Sequence, residues 1–141
     1  MPIKTFRGQL LDGDQDTISL HTNTGSTGYR IVNFRIFAHD WDSNEEFAMK
    51  IYKVEQTSIN AQFNFDDQTL LGAAYLENNA AIDNFSESVI FDKDIFNQDI
   101  FITLKTTQSA SRACNYYIEL EQVALDLNEN TVATLQDIRN K

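Results

Sequence analysis

Cysteine, proline and glycine are scarce: one, one and five among 141 residues. A lone Cys114 excludes an intrachain disulfide and a cysteine-built zinc site, and such thiol poverty suits a reducing compartment. With Pro2 the only proline and no Gly/Ser-rich stretch, no linker interrupts the chain. Residues 1–141 therefore read as a single domain of ordinary size. No apolar run approaches the roughly 18–20 residues of a membrane-crossing helix. The first eleven residues carry Lys4 and Arg7 and no apolar stretch of signal-peptide length, so a soluble chain without a cleaved leader is expected. Positive charge is also short. Eleven Lys and Arg stand against 21 Asp and Glu, for a net charge of −10. A nucleic-acid binder needs a basic surface that displaces counterions from phosphates. The densest basic group here, residues 30–53, is interleaved with acids. Neither nucleic acid nor an anionic membrane is an expected partner, and a solvated acidic surface repels DNA.

Apolar and aromatic residues are plentiful: 42% hydrophobic, with ten Phe, five Tyr and one Trp, enough for a core without staples. They recur at every second position in β-branched and aromatic runs, the pattern of half-buried strands. In residues 29–38, Val32, Phe34, Ile36 and Ala38 share one face; in 47–54, Phe47, Met49 and Ile51 oppose Lys50 and Tyr52. Ile100, Ile102 and Leu104 alternate with Phe101, Thr103 and Lys105, and Tyr116, Ile118 and Leu120 with Tyr117, Glu119 and Glu121, in a run reaching Leu125. Weaker runs are 3–11, 17–21, 69–76 and 87–91. Turn-forming clusters of Gly, Asn and Asp separate them, at 12–14, 23–28, 40–44, 66–67 and 78–79. The pattern predicts an all-β fold, an antiparallel β-sandwich of about eight strands with a jelly roll among its variants. Val32, Phe34, Ile36, Met49, Ile51, Ile102, Ile118 and Leu120 are the expected core. Residues 128–138, with Val132, Leu135 and Ile138 every three residues, read as one short terminal helix or as an extended tail packing on a neighbour.

For chemistry, the most suggestive pattern is Asp12-Gly13-Asp14-Gln15-Asp16, whose alternate carboxylates could converge on calcium. The glycine and glutamate of an EF-hand loop are missing, and a strand-joining turn is the preferred reading. Asp40, Asp42 and Asn44 form a weaker version. His21 and His39 are the only histidines, and no nucleophile elbow surrounds a serine. Cys114 reads as a buried, inert thiol, since only Arg112 is near in sequence to activate it. Gly25 and Gly28 bracket Ser26 and Thr27, but no Lys follows to make a phosphate loop. Acid pairs such as Glu45-Glu46 or Glu119/Glu121 are commonplace on solvent faces. Core packing is the preferred role for Phe34, Phe37, Phe47, Tyr116 and Tyr117 over stacking on sugars. No catalysis, cofactor or metal is expected.

Several stretches resemble a known family. They include 11–20, 23–32, 50–53, 90–92 and 127–140, with the motifs Ile95-Phe96-Asn97-Gln98-Asp99-Ile100-Phe101-Ile102 and Asn115-Tyr116-Tyr117-Ile118-Glu119-Leu120-Glu121. The chain resembles small β-rich virion structural proteins of marine tailed bacteriophages. The resemblance implies a non-enzymatic structural role in the particle. Capsid decoration, or cement, on the outside of the head is the expectation that the acidic surface fits best, after synthesis in the host cytoplasm. A tail, neck or fibre component is the alternative, and a carbohydrate-binding module a third. The implied partners are the major capsid protein and further copies of the chain. The candidate contacts are apolar residues near the chain ends: Ile3, Phe6, Leu127, Val132, Leu135 and Ile138.

Overall fold

A row of apolar side chains at every second residue is buried only when strands pair and turn those rows to a common interior. The computed structural model, which describes residues 2–21, 25–39, 44–79, 84–106 and 113–125, does this with eight strands. They are β1 (Ile3–Leu11), β2 (Gln15–Ile18), β3 (Thr27–Ala38), β4 (Asn44–Tyr52), β5 (Leu70–Asn79), β6 (Asn84–Phe91), β7 (Ile100–Thr106) and β8 (Ala113–Ala124). Two antiparallel sheets result, ordered β1-β8-β3 and β2-β7-β4-β5-β6, with no helix among the described residues. The expected all-β sandwich is therefore present. The pairings β1–β8, β2–β7 and β4–β5 are those of a chain rolled up on itself, as in a jelly roll. The remaining nested pair is not formed, because β6 hydrogen-bonds to β5 and not to β3. The segment 128–138 and the residues Asp40 and Asp42 lie outside the described residues.

Phe34, Ile36, Met49, Ile51, Ile102, Ile118 and Leu120 occupy the expected interior, all at 0–1% exposure. Val32 does not. It is 38% exposed, because the β3–β8 register shifts between Ile31 and Asn33. A bulge adds a residue to one strand and so reverses which face the following side chains take. Tyr29 and Ile31 point inward before it, Phe34 and Ile36 after it, and Val32 is turned out. Phe37 and Tyr117 also depart from the core role expected of them. Ile36 and Tyr116 hold the neighbouring inward positions, which leaves Phe37 outward at 61% exposure and Tyr117 at the surface beside Arg35.

β4 is covered on both sides. Phe47, Met49 and Ile51 face the core, while Ala48, Lys50 and Tyr52 on the opposite face are buried as well. The connection between β4 and β5 folds back over this outer face. Lys50, 2% exposed, donates from Nζ to the Gln62 carbonyl (2.6 Å) and to Asn60 Oδ1 (3.0 Å). Its ammonium also lies 5.6 Å and 5.9 Å from the ring centres of Tyr52 and Phe63. Burial lowers the Lys50 pKa, and the Asp67 charge works against that shift.

The sheets are tied together by polar groups too. Tyr116 on β8 crosses the interior to donate its hydroxyl to Asp16 Oδ2 on β2 (2.8 Å). Its path requires Gly8, where an added Cβ would sit 2.6 Å from the Tyr116 oxygen.

Phe34→Ala is expected to cost about 3–5 kcal/mol through lost burial and a residual cavity. Val32→Ser, at the turned-out position, is expected to cost within about 0.5 kcal/mol. Urea unfolding of the two variants checks the bulge directly, and similar losses would contradict it. Lys50→Ala should speed amide exchange in residues 60–62 by about tenfold or more, the scale of one lost hydrogen bond.

Candidate functional site

The acidic turn resolves into separate ties. Gly13 adopts φ 82°, a left-handed conformation suited to glycine, and its N–H reaches the Leu104 carbonyl (2.8 Å). Asp12 Oδ1 accepts from the Thr106 N–H (2.9 Å) and faces Lys105 Nζ (3.5 Å). Asp14 Oδ2 accepts from the Leu11 N–H (3.1 Å), and Asp16 turns inward to Tyr116. The three carboxylates thus share no partner. Among the described residues, no cluster of three or more His, Cys, Asp or Glu has the arrangement of a metal site.

Other chemically suggestive residues are similarly engaged. Asp99 Oδ1 accepts from the N–H groups of Leu20 (2.8 Å) and His21 (3.1 Å) and lies 2.7 Å from His21 Nδ1. Burial alone would raise the Asp99 pKa, but these contacts outweigh it and hold the carboxyl below its ordinary range. Cys114 is fully buried, and desolvation pushes its thiol up to about 12, well away from a reactive thiolate. Glu121 accepts from Arg30 Nε (2.6 Å) and Glu119 from Asn33 Nδ2 (3.3 Å), so this acid pair belongs to the ladder of the outer face.

The candidate contact residues divide. Ile3 on β1 is 47% exposed. Phe6, on the same strand, packs against the hydrophobic core. Leu127, Val132, Leu135 and Ile138 lie outside the described residues.

What the sequence reading missed is a groove on the outer face of the five-stranded sheet. Ala73 and Tyr75 on β5 and Ser88 and Ile90 on β6 form its floor, because register pairs Ala73 with Ile90 and Tyr75 with Ser88. Phe63 and Phe65, from the connection folded over β4, form its wall. This cleft of about 340 Å³ continues past Phe65, Ala73 and Ile90 into a depression of about 670 Å³ with Asp67, Asp92 and Asp94 on its lip. Phe65 is 65% exposed and Ile90 52%, while Phe63 sits edge-on to Tyr75 with ring centres 6.4 Å apart. Lys53 is the only cation lining the depression among the described residues, and its Nζ lies 3.9 Å from Asp94 Oδ2. The Tyr75 hydroxyl donates to Glu46 Oε2 (2.9 Å) and Glu77 Oε2 (3.3 Å). Burial and then the Glu46 and Glu77 contacts push its pKa up to about 12, so it remains a neutral donor. Phe65 and Ile90 thus leave a contiguous apolar surface open to solvent beside the paired rings of Phe63 and Tyr75. The one signal in the sequence was the run Phe63-Asn64-Phe65, which shows the alternation of a strand inside a turn-rich segment.

No family model matches the chain, and no curated protein matches it in sequence.

Two outcomes are expected. A phenol with a raised pKa stabilises the fold below the free value near 10 and loses that contribution as pH rises through about 12. Tyr75→Phe should therefore flatten, relative to the parent chain, the fall in urea stability between these values. Calcium chelation should leave the thermal midpoint unchanged, whereas Asp12→Ala should cost about 1–3 kcal/mol by stranding the Thr106 N–H. A chelator-induced drop that Asp14→Ala abolishes would make the turn an ion site.

Proposed function

We propose that the chain is a non-enzymatic virion structural protein that acts by adhesion, as a decoration or cement protein on the outside of a tailed-phage head. The observation that carries this reading is the aromatic groove: Phe63 and Phe65 on the β4–β5 connection and Ile90 on β6 are held toward solvent. Surfaces of that composition anchor protein partners, with aromatic side chains at the centre and a polar rim. The chemistry of the titratable groups supports the same reading. The thiol is buried, the histidine–carboxylate pair ties backbone, and the turn acids cap loop amides. A net charge of −10 disfavours the DNA-filled interior and suits the outer surface.

Cementing a lattice takes two kinds of contact, with the shell and with neighbouring copies. The shell contact is assigned to the chain ends, where Ile3 is exposed on an edge strand and Leu127, Val132, Leu135 and Ile138 supply further apolar side chains. Phe6 is left to the domain's own core. A standard interface buries about 800 Å² per partner.

Purified protein added to pre-assembled heads lacking it should bind the outer surface and protect the heads against mechanical or thermal disruption. Removal of residues 128–141, or Ile3→Asp, should abolish binding while the unfolding free energy in urea stays within about 1 kcal/mol of the parent, as expected of surface changes. Detection of the chain on tails alone, or its release with the genome when heads are opened, would overturn the assignment.

A further inference from the structure

We propose that the outer face of the β1-β8-β3 sheet docks into the aromatic groove of a second copy of this chain, so that copies join head to tail. The inference builds on the self-association in the reading above. No shell enters its test, so the two fail separately.

Register sets the docking face. Arg7, Tyr117 and Arg35 form one row across the three strands, and Gln9, Asn115 and Phe37 form the next. All six side chains alternate with inward neighbours and therefore face outward. Phe37 follows Arg35 on the same face about 6.7 Å along the strand, and Arg7 and Arg35 flank Tyr117 from strands about 4.8 Å away on either side. Arg30 is committed to Glu121, but Arg35 approaches Glu87 only at 3.8 Å with half its side chain in solvent. Arg7 has no ion pair among the described residues and is exposed. Arg, Tyr and Phe on one flat face are the residue types that anchor interfaces.

The groove offers the complement. Its apolar cleft between Phe63, Phe65 and Ile90 receives Phe37, and its acidic lip, Asp92 and Asp94, meets Arg7 and Arg35. Charge selects this pairing over the symmetrical ones. A two-fold dimer through either face would set arginines against arginines or the lip carboxylates against each other, and like charges in contact cost several kcal/mol.

The two surfaces lie on opposite outer faces of the sandwich, since one belongs to each sheet. The contact is therefore heterologous, and every added copy leaves one docking face and one groove free. Such contacts build rings when the rotation closes and open chains when it does not. Three strands by nine residues span about 14 by 30 Å, a footprint below the standard interface, so a dissociation constant of about micromolar order is expected. On a lattice, neighbouring copies are held at high effective concentration, which makes so weak a contact sufficient.

Sedimentation velocity of the full chain decides the matter. At about 50 mM salt the parent should grow past dimer as concentration rises, and its dissociation constant should increase about three- to tenfold at about 500 mM salt through screening. One variant neutralises the face (Arg7→Gln, Arg35→Gln, Phe37→Ser), and another neutralises the groove (Asp92→Asn, Asp94→Asn, Phe65→Ser). Each alone should be monomeric. Mixed, they should form pairs of one copy each and nothing larger, because the intact groove of the first accepts the intact face of the second. Urea midpoints of both variants confirm folding, and Phe37→Ser alone, at an exposed position, should still weaken assembly at least about tenfold. A parent that stays monomeric or stops at dimer, variants that assemble unaided, or a mixture that yields no pairs would each overturn the proposal.

Discussion

The rest of the structure depends on keeping both faces of β4 out of water, the core face by the opposing sheet and the outer face by a chain segment with no regular structure of its own. The core face is ordinary sandwich packing of Phe47, Met49 and Ile51. The outer face is unusual because its central side chain is a lysine. An ammonium removed from water is tolerated only where hydrogen bonds and aromatic faces replace its hydration. Lys50 finds these in the Gln62 carbonyl, Asn60, Tyr52 and Phe63. The lysine thereby fixes where the covering segment runs. Phe63 and Phe65 stand as a wall because the backbone beneath them is held by this charge.

From that follows the surface. The covering segment ends as one side of a groove whose floor is the outer face of β5 and β6. Aromatic side chains that would be a liability on a mobile loop are here mounted on a fixed element. Preorganisation of this kind reduces the entropy lost on binding and favours adhesion by contact. Among the described residues, no segment is laid across the outer face of the opposite sheet, which has fewer strands. Arg7, Arg35 and Phe37 are exposed and Tyr117 half-buried on that face, through the same alternation that buries Tyr116, Ile118 and Ile36.

The abundant carboxylates have a structural role distinct from any ion binding. Asp12, Asp14 and Asp99 each accept backbone N–H groups at or just beyond the ends of strands. Asp16 and Tyr116 join the two sheets through the interior. Short acidic side chains satisfy stranded amides well, since a charged acceptor makes a stronger hydrogen bond than a neutral one. Much of the negative charge visible in the composition is thus used locally.

Period-two patterning by itself determined the fold class, the strand count and most of the core, because alternation is a local property that only a sheet can bury. Each of the eight runs overlaps a strand, although only Thr17 and Ile18 of the run 17–21 lie in one, and Phe34, Ile36, Met49, Ile51, Ile102, Ile118 and Leu120 lie where their phase put them. Tertiary structure alone decided the rest. The bulge after Ile31 depends on how β3 meets β8, so no inspection of residues 29–38 could have turned Val32 outward. Phe37 is exposed and Tyr117 half-buried because no described segment packs over the smaller sheet, a matter of layer number that strand period does not record. Lys50, which reads as a solvent-facing residue, is buried by a segment arriving from ten or more positions away. The groove is assembled from three separate stretches, the covering segment, β5 and β6, brought together by pairing. Local pattern fixes which way a side chain points relative to its neighbours, and only the packing of distant segments fixes what it meets there.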